Sequence, residues 1–216
     1  NGPNWGKDVF IPMDWLIGGV DNVGKGWRML VECLGEGRGI SLPALSTGAA
    51  KLVTRYTGAY ARVRRQFGLP IGQFEGIEEP LANILGNTYL MDAARKLTTT
   101  ALDQGQRPAV VTALLKYQLT ERMRKVINDA MDIQGGSGIC LGPSNLLGRG
   151  YQAIPIAITV EGANILTRSL IVFGQGAIRC HPYLLNIMKA TEEDNLEQLD
   201  KSLFSHMGFV ISNLSR

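Results

Sequence analysis

Apolar residues recur every three or four positions along several long stretches of this sequence, and that spacing restricts the fold more than any other feature. The first stretch covers residues 41–66 and stops near Gly68 and Pro70; its repeating positions are Leu45, Ala49, Leu52, Tyr56, Ala59 and Val63. Side chains spaced in this way lie along one stripe of a helix. Because an apolar stripe must be covered, the chain is expected to fold as several packed helices.

Two more long stripes follow, and each ends at a turn that contains glycine. The second ends before residues 105–108, and its positions are Ile77, Leu81, Ile84, Leu85 and Ala93. The third ends at residues 135–138, and its positions are Leu115, Leu119, Met123, Val126, Ile127, Ala130 and Met131. After an irregular passage with Gly and Pro, a fourth helix is predicted over residues 161–173 and a shorter one over residues 183–189. Long helices with short connections predict an all-α antiparallel four-helix bundle.

The two ends of the chain differ from this helical middle. Residues 8–12 have the composition of a β-strand end, and the glycine-rich residues that follow have that of a linker. We therefore predict the end of a β-domain with its linker over residues 1–23, the helical bundle over residues 24–189, and the start of a C-terminal extension over residues 190–216. The extension has an amphipathic pattern, which favours one more helix. The chain starts with Asn rather than Met, so we expect it to be a piece of a longer protein.

Composition argues against several classes of protein. Apolar residues make up 45% of the chain and charged residues 19%, as in ordinary globular domains, and no apolar run approaches the roughly 18 to 20 residues that cross a bilayer. The net charge of +3 is not organised into the dense basic stripe typical of nucleic-acid binding. Three widely spaced cysteines predict neither a disulfide framework nor a metal site. A reduced cytoplasm is the expected location, and membrane association of the full-length protein stays open.

Four short motifs carry the residue types that catalysis and cofactor binding need. Taken one at a time, each has an ordinary structural explanation. A carboxylate such as Glu161 suits a helix N-terminus, paired arginines suit a helix C-terminus, and paired glycines form a C-cap. Function therefore has to come from the combination of the motifs and their order. They are residues 34–38, residues 64–77, residues 132–138 and residues 160–165.

In this order and spacing, the motifs resemble those of the acyl-CoA dehydrogenase family, over roughly residues 8–175. The branch that the chain most resembles is the large bacterial dehydrogenases of fatty-acid β-oxidation. The resemblance implies the C-terminal helical domain of an FAD-dependent oxidoreductase that converts fatty acyl-CoA to trans-2-enoyl-CoA. In such enzymes a carboxylate removes the substrate α-proton while the β-hydride passes to FAD. Glu161 stands at the position of that base.

A carboxylate removes a proton from carbon only in a dry pocket that strengthens it as a base, with donors that stabilise the developing enolate. The resemblance assigns these donors to the N–H of Glu161 and to a flavin hydroxyl, with Gly162 leaving room for close approach. Some family members carry the base just before the arginine of the first motif, but that position is Gly37 here. Glu161 is then the one candidate base, and Arg38 is expected at the substrate site beside Glu161 and Gly162.

The resemblance also implies an FAD site made of three groups of residues. The second motif is expected to contact the pyrophosphate of a neighbouring subunit's FAD, and the third motif is expected to receive its adenosine part. The expected FAD contacts are Arg64, Arg65, Gln66, Phe67, Phe74, Glu75, Asp132, Ile133, Gln134, Gly135, Gly136, Gly162, Ala163 and Asn164. Three of them depart from the family pattern: glutamine is usual at the positions of Glu75 and Asp132, and threonine or serine at that of Ala163.

The same resemblance implies a fatty acyl-CoA substrate, a homodimer or homotetramer assembled through the bundle, and an electron-transferring flavoprotein as acceptor. The isolated chain is expected to be inactive, because most of the active site would lie in the family's other domains. Two alternatives stay open. One is an acyl-CoA oxidase or another flavoenzyme on the same fold, and the other is a non-catalytic helical scaffold.

Overall fold

The computed structural model describes residues 2–215, without the side chains of Arg28, Val31, Glu32 and Leu170. Asn1 and Arg216, the outer limits of the first and last predicted segments, lie outside the described residues. The chain is almost entirely helical, so the prediction of an all-α fold is confirmed. Its α-helices are α1 (Gly26–Gly37), α2 (Ser41–Val63), α3 (Glu75–Asp103), α4 (Ala109–Gln134), α5 (Gly136–Ile139), α6 (Gly148–Thr159), α7 (Asn164–Leu166), α8 (Gly176–Cys180), α9 (Leu184–Glu192) and α10 (Leu196–Leu214).

The three longest helices, α2, α3 and α4, pack against one another and enclose the core. Helix α4 lies at the centre, because α6 and the helical segment after it also pack against it. The apolar stripe predicted for α4 is confirmed. Its buried members are Leu115, Leu119, Met123, Val126, Ile127 and Ala130.

The stripe predicted for α2 is confirmed in part: Ala49 and Tyr56 pack against the core, whereas the other predicted positions are exposed. Leu45, Leu52 and Val63 are 63%, 57% and 79% exposed. The face that packs into the bundle carries smaller residues instead, and it includes Ser46, Thr47, Ala50, Val53, Thr57 and Ala61. Small side chains let helix backbones approach closely, and the hydroxyl of Thr47 is satisfied within the helix, at 2.7 Å from the carbonyl of Pro43.

In α3 the stripe is confirmed in part. Ile84 is buried, and Ile77 and Leu81 pack against the core. Leu85 and Ala93 are exposed, contrary to the prediction. The other buried positions of the helix are Thr88, Met91 and Thr98.

A short hairpin separates α2 from α3. Strand β1 (Arg65–Gln66) pairs antiparallel with strand β2 (Leu69–Pro70). The two residues between them, Phe67 and Gly68, have φ values of 52° and 81°, a backbone typical of tight hairpin turns. Helix α2 therefore ends at Val63, three residues earlier than predicted, and Phe67 stands at the tip of the hairpin.

The region around Glu161 differs most from the prediction. Residues 148–159, predicted to be irregular, form α6, which tolerates Pro155 in its interior. The predicted fourth helix begins at Asn164 rather than at 161. It continues through a π-helical segment (Thr167–Gln175) into α8. Glu161 thus lies in a break between two helices and not in the first turn of one.

Residues 8–12, predicted as a strand end, form no strand in the described part of the chain. Phe10 is 86% exposed, and only short 3-10 turns follow, at Met13–Trp15 and Val20–Asn22. A strand needs a neighbour for its backbone hydrogen bonds, and no described segment lies beside this one in that way.

The C-terminal helices α9 and α10 pack against each other as a pair. The short helix predicted over residues 183–189 and the helix in the extension are therefore confirmed, whereas the predicted segment limits at 23 and 189 stay predictions.

Within residues 2–215 no single helix is long and apolar enough to cross a bilayer. Helix α6 and the Asn164–Cys180 segment reach that length and composition only as a pair bent by 44°.

Asp129 on α4 destabilises the folded chain to an extent that depends on pH. Its Oδ2 atom is buried and has no hydrogen-bond partner among the described residues. Burial raises the pKa of this carboxyl above the ordinary 3.8, opposed by Lys125 and assisted by Asp132. The folded state therefore binds the proton more tightly than the unfolded chain. The free energy of unfolding falls as pH rises from 3.8 through the raised pKa.

We expect Asp129→Asn to raise the melting temperature near pH 7 by roughly 2–4 °C, because the variant has no charge to bury. The gain should vanish towards pH 3.8, where Asp129 is neutral in the folded state. Thermal unfolding followed by circular dichroism at both pH values measures this. Asp200→Asn, on an exposed position of α10, is the control, and identical melting of D129N and wild type near pH 7 would contradict the prediction.

Candidate active site

The break between α6 and α7 presents Glu161 on a strained backbone. Glu161 has a φ of 56° and Gly162 a φ of 88°, so two successive residues are left-handed. This conformation is uncommon for glutamate and indicates that the surroundings impose it. At the second position a Cβ atom would also lie 3.3 Å from Oγ1 of Thr167, so glycine is favoured by φ and by space.

A buried lysine on α4 donates hydrogen bonds to this break. Lys116 on α4 is 0% exposed. Its Nζ donates to the carbonyl of Gly162 at 2.8 Å and to Oδ1 of Asn164 at 2.7 Å. It also lies 3.4 Å from the carbonyl of Ile158 in the last turn of α6. One ammonium group therefore joins the end of α6, the break and the start of α7.

The charge of Lys116 is balanced by its neighbours. Burial lowers the pKa of Lys116 below its usual range, the carboxylates of Glu161 and Glu121 act in the opposite direction, and Arg38 adds to the lowering. A buried ammonium is tolerated when its protons have acceptors. The three oxygens that surround Nζ meet that condition.

Asn164 faces the protein interior. It is 3% exposed, and its Nδ2 donates to Oγ1 of Thr120 at 2.9 Å and to Oε1 of Glu121 at 2.8 Å. Together with the bond from Lys116, these contacts engage both ends of the amide. The contacts indicate that Asn164 fixes the break against α4, and its predicted contact with FAD stays a prediction.

The corner between α1 and α2 supplies the other contacts of Glu161. Nε of Arg38 donates to the backbone carbonyl of Glu161 at 3.0 Å, and Oγ of Ser41 lies 2.6 Å from its Oε1. The corner lies close to α4 because Gly39 has no side chain; a Cβ there would lie 2.5 Å from Cγ2 of Thr112. The break, the corner and α4 thus meet at Glu161.

Glu161 itself is exposed. The dry pocket expected around the base is not formed by residues 2–215 alone, since the corner, the break and α4 leave the carboxylate open to solvent. The backbone N–H of Glu161 donates to no carbonyl or side chain among the described residues. The site therefore offers a carboxylate and a free donor side by side.

A second site lies at the hairpin, where the second and third motifs meet. It is a groove of about 640 Å³ between the hairpin, the start of α3 and the end of α4. Eight of the residues predicted to bind FAD line it: Arg64, Gln66, Phe67, Phe74, Ile133, Gln134, Gly135 and Gly136. Arg65, Glu75 and Asp132 do not line it, and Gly162, Ala163 and Asn164 lie at the break.

The rim of the groove exposes an aromatic ring and a cation. Phe67 is 93% exposed, and its ring packs edge-on against Phe74 with centroids 6.4 Å apart. The guanidinium of Arg64 has no hydrogen-bond or ion-pair partner among the described residues, whereas Arg65 donates to the carbonyl of Gly68 at 3.0 Å. Arg64 is therefore available to an anionic ligand.

The floor of the groove contains an unpaired acceptor. Gln134 is 6% exposed, and its Nε2 donates to the hydroxyl of Tyr56 at 2.9 Å. Its Oε1 is buried without a partner among the described residues. Tyr60 and Ser137 flank it, with their hydroxyl oxygens 3.2 Å apart. This Oε1 atom is closed off from the groove as well as unpaired among the described residues.

Several residues of these sites were not among those predicted from the sequence. Lys116 and Ser41 support Glu161, and Tyr60 and Ser137 line the groove. A signal existed for Lys116, because a charged residue between the core positions of α4 must be paired internally. Nothing in the pattern distinguishes Ser41 from an ordinary residue at a helix start.

Most of the chain matches two families of known proteins. Residues 24–174 match the family described as "Acyl-CoA dehydrogenase, C-terminal domain". Residues 178–216 match a second family, described as "Acyl-CoA dehydrogenase, C-terminal, bacterial type".

Individual relatives cover parts of the chain. A probable acyl-CoA dehydrogenase of Mycobacterium tuberculosis is 31% identical over 158 residues, which are 73% of this chain and 24% of that protein. Protein HemX of Proteus mirabilis is 61% identical over 59 residues, 27% of this chain and 35% of that protein. The structure of a glutaryl-CoA dehydrogenase with glutaryl-CoA superposes with a TM-score of 0.65 at 28% identity, over 72% of this chain and 39% of that one. The matched region is thus well under half the length of each relative.

We expect Lys116→Met to lower the free energy of unfolding by roughly 2–4 kcal/mol, because the carbonyl of Gly162 and the amide of Asn164 lose a buried donor. Urea denaturation measures the loss. The control is Lys201→Met at an exposed position of α10, which should change the stability by less than about 0.5 kcal/mol. Equal effects of the two substitutions would show that Lys116 does not hold the break.

Proposed function

This chain belongs to the acyl-CoA dehydrogenase family, and we propose that it carries the base of an FAD-dependent enzyme that converts fatty acyl-CoA to trans-2-enoyl-CoA in β-oxidation. Members of this family are FAD enzymes and oxidoreductases. The observation that carries the proposal is the presentation of Glu161. Its carboxylate and its free N–H stand side by side on a strained break that a buried ammonium supports.

The two groups of Glu161 suit the two demands of proton removal beside a thioester. The carboxylate accepts the α-proton, so the C–H bond breaks as an O–H bond forms on the carboxyl. The electron pair left behind is delocalised onto the thioester oxygen, where the N–H of Glu161 can donate a hydrogen bond. Arg38 supports this geometry, because it holds the carbonyl of the same residue at 3.0 Å.

The groove at the hairpin suits the phosphate-bearing part of FAD. The free guanidinium of Arg64 can bind phosphate oxygens, and the exposed ring of Phe67 can pack against the ligand. When bound, FAD supplies the acceptor for the hydride from the substrate β-carbon. Glu75 and Asp132, the two unusual carboxylates, do not line the groove, which favours retention of the cofactor.

Substrate class and assembly belong to the same proposal. We infer a fatty acyl-CoA as substrate and a homodimer or homotetramer formed through the bundle, with a groove on one copy serving the flavin beside another copy's Glu161. An electron-transferring flavoprotein is the proposed acceptor, and the bacterial cytoplasm the proposed location. Where the family's other domains cover Glu161, the carboxylate would gain the dry surroundings that a base needs.

The exposure of Glu161 favours a second candidate, a helical scaffold without catalysis. The two candidates differ in whether acyl-CoA bleaches the flavin of the full-length protein. Bleaching without air, followed by slow reoxidation in air, would support the dehydrogenase. Rapid reoxidation would indicate an oxidase, and the absence of bleaching a scaffold.

We expect Glu161→Gln in the full-length protein to lower turnover roughly 10²- to 10⁴-fold, because the amide cannot accept the α-proton. FAD content should stay at the wild-type level, since the substitution keeps the size of the side chain. A chain-length series of acyl-CoA esters with an artificial electron acceptor provides the assay. Glu197→Gln at an exposed position of α10 is the control, and wild-type turnover of E161Q would remove Glu161 from the mechanism.

The isolated chain, residues 1–216, should not oxidise acyl-CoA. Its carboxylate is exposed, and proton removal from carbon needs a base that is shielded from water. Purified chain mixed with FAD, acyl-CoA and an artificial acceptor tests this. Turnover comparable to that of the full-length protein would show that the helical part forms a complete active site.

A further inference from the structure

Ser41, the first residue of α2, lies between two oxygen acceptors. Its Oγ is 2.6 Å from Oε1 of Glu161 and 3.1 Å from the carbonyl of Gly37. A hydroxyl has one proton and can donate to only one acceptor at a time. The shorter contact, to a charged oxygen, is the stronger one while Glu161 is ionised. Among the described side chains, Ser41 is the one that hydrogen-bonds to this carboxylate.

This contact makes the two carboxylate oxygens of Glu161 unequal. Oε1 has one of its lone pairs engaged by Ser41, whereas no described residue donates to Oε2. The substrate α-proton is therefore expected to transfer to Oε2, the oxygen that accepts no hydrogen bond from the described residues. When the carboxyl has become neutral, Oε1 is a weaker acceptor, and the Gly37 carbonyl offers the hydroxyl an alternative. Ser41 thus has a partner before and after proton transfer.

We propose that Ser41 is a positioning residue that holds the carboxylate of Glu161 by Oε1 and leaves Oε2 to receive the substrate α-proton. This rests on the proposed role of Glu161 as the base. In the step itself the C–H bond of the substrate breaks, the O–H bond forms at Oε2, and the electron pair moves towards the thioester carbonyl. Ser41 exchanges no atom with the substrate.

The direction in which the pH profile of activity moves when Ser41 is replaced follows from the charge state of Glu161 that Ser41 stabilises. A donor to a carboxylate favours its ionised form. Removal of the donor lets the carboxyl take up its solvent proton at higher pH, so activity is lost sooner on acidification. The other charged groups are Arg38, which contacts the carbonyl of Glu161, and Lys116 on α4, which interacts electrostatically with Glu161, Arg38 and Glu121. They stay in place in every variant used below.

The test uses the full-length protein and three substitutions of Ser41. We expect Ser41→Ala to lower kcat roughly tenfold with little change in KM, and to move the acidic limb of kcat/KM to higher pH, as loss of a charge-assisted hydrogen bond predicts. Ser41→Thr keeps the hydroxyl and should restore both. Ser41→Cys has a weaker donor and should lie between them. Ser212→Ala at an exposed position of α10 is the control.

The outcomes separate the possible failures. A purely structural role would lower activity evenly over pH, and a limb that does not move in S41A and S41C would overturn the proposal for Ser41. Wild-type turnover of E161Q would instead overturn the proposed function itself. FAD content and melting temperature at the wild-type level confirm that each variant is folded. If S41A does not fold, the comparison of S41C with S41T decides the question.

Discussion

The buried ammonium of Lys116 is the contact on which the candidate active site depends. It bridges the last turn of α6, the carbonyl of Gly162 and the side chain of Asn164, all within 3.4 Å. Without it, the carbonyl of Gly162 would keep only the hydroxyl of Thr167 as a donor among the described residues, at 3.1 Å, and the Oδ1 atom of Asn164 would lose its donor. The left-handed backbone of Glu161 would then depend on Arg38 and Ser41 alone. Hydrogen bonds inside the bundle therefore hold the backbone that presents the carboxylate, and stability and function share the same residues.

Helix α4 connects the two sites and also separates them. Lys116 lies near its start and Gln134 at its end, about 27 Å apart along the axis at 1.5 Å per residue. The break that carries Glu161 rests on one end, and the groove at the hairpin is built on the other. Helix α4 is continuous from Ala109 to Gln134, so it fixes this separation. In the assembly that we propose, the groove and the base that serve one flavin come from two copies of the chain.

Sequence periodicity predicted the helices better than it predicted their faces. The α4 stripe is correct because large apolar residues fill its buried side. In α2 the large residues Leu45 and Leu52 are exposed, whereas threonine, serine and alanine are buried beside the predicted Ala49 and Tyr56, so hydrophobicity locates the buried face only in part. Helix α6 was not predicted, because its glycines and Pro155 suggest an irregular segment. Packing against α4 stabilises it as a helix. The motifs located the two sites, but Lys116 and Ser41 act through contacts across 46 and 120 positions of the chain, which no local pattern contains.

The exposure of Glu161 divides the requirements of the proposed chemistry into two parts. Orientation is provided within the bundle, because Arg38, Ser41 and Lys116 fix the residue at its carbonyl, at its carboxylate and through the next peptide. Desolvation is not provided within the bundle, because these contacts surround the carboxylate on the protein side only. A carboxylate held in place but wet is a weak base towards carbon, and one that is dry but free to rotate seldom meets its proton. A bundle that supplies orientation alone would thus become active only when other atoms, from further domains and from the acyl chain itself, exclude water from Glu161.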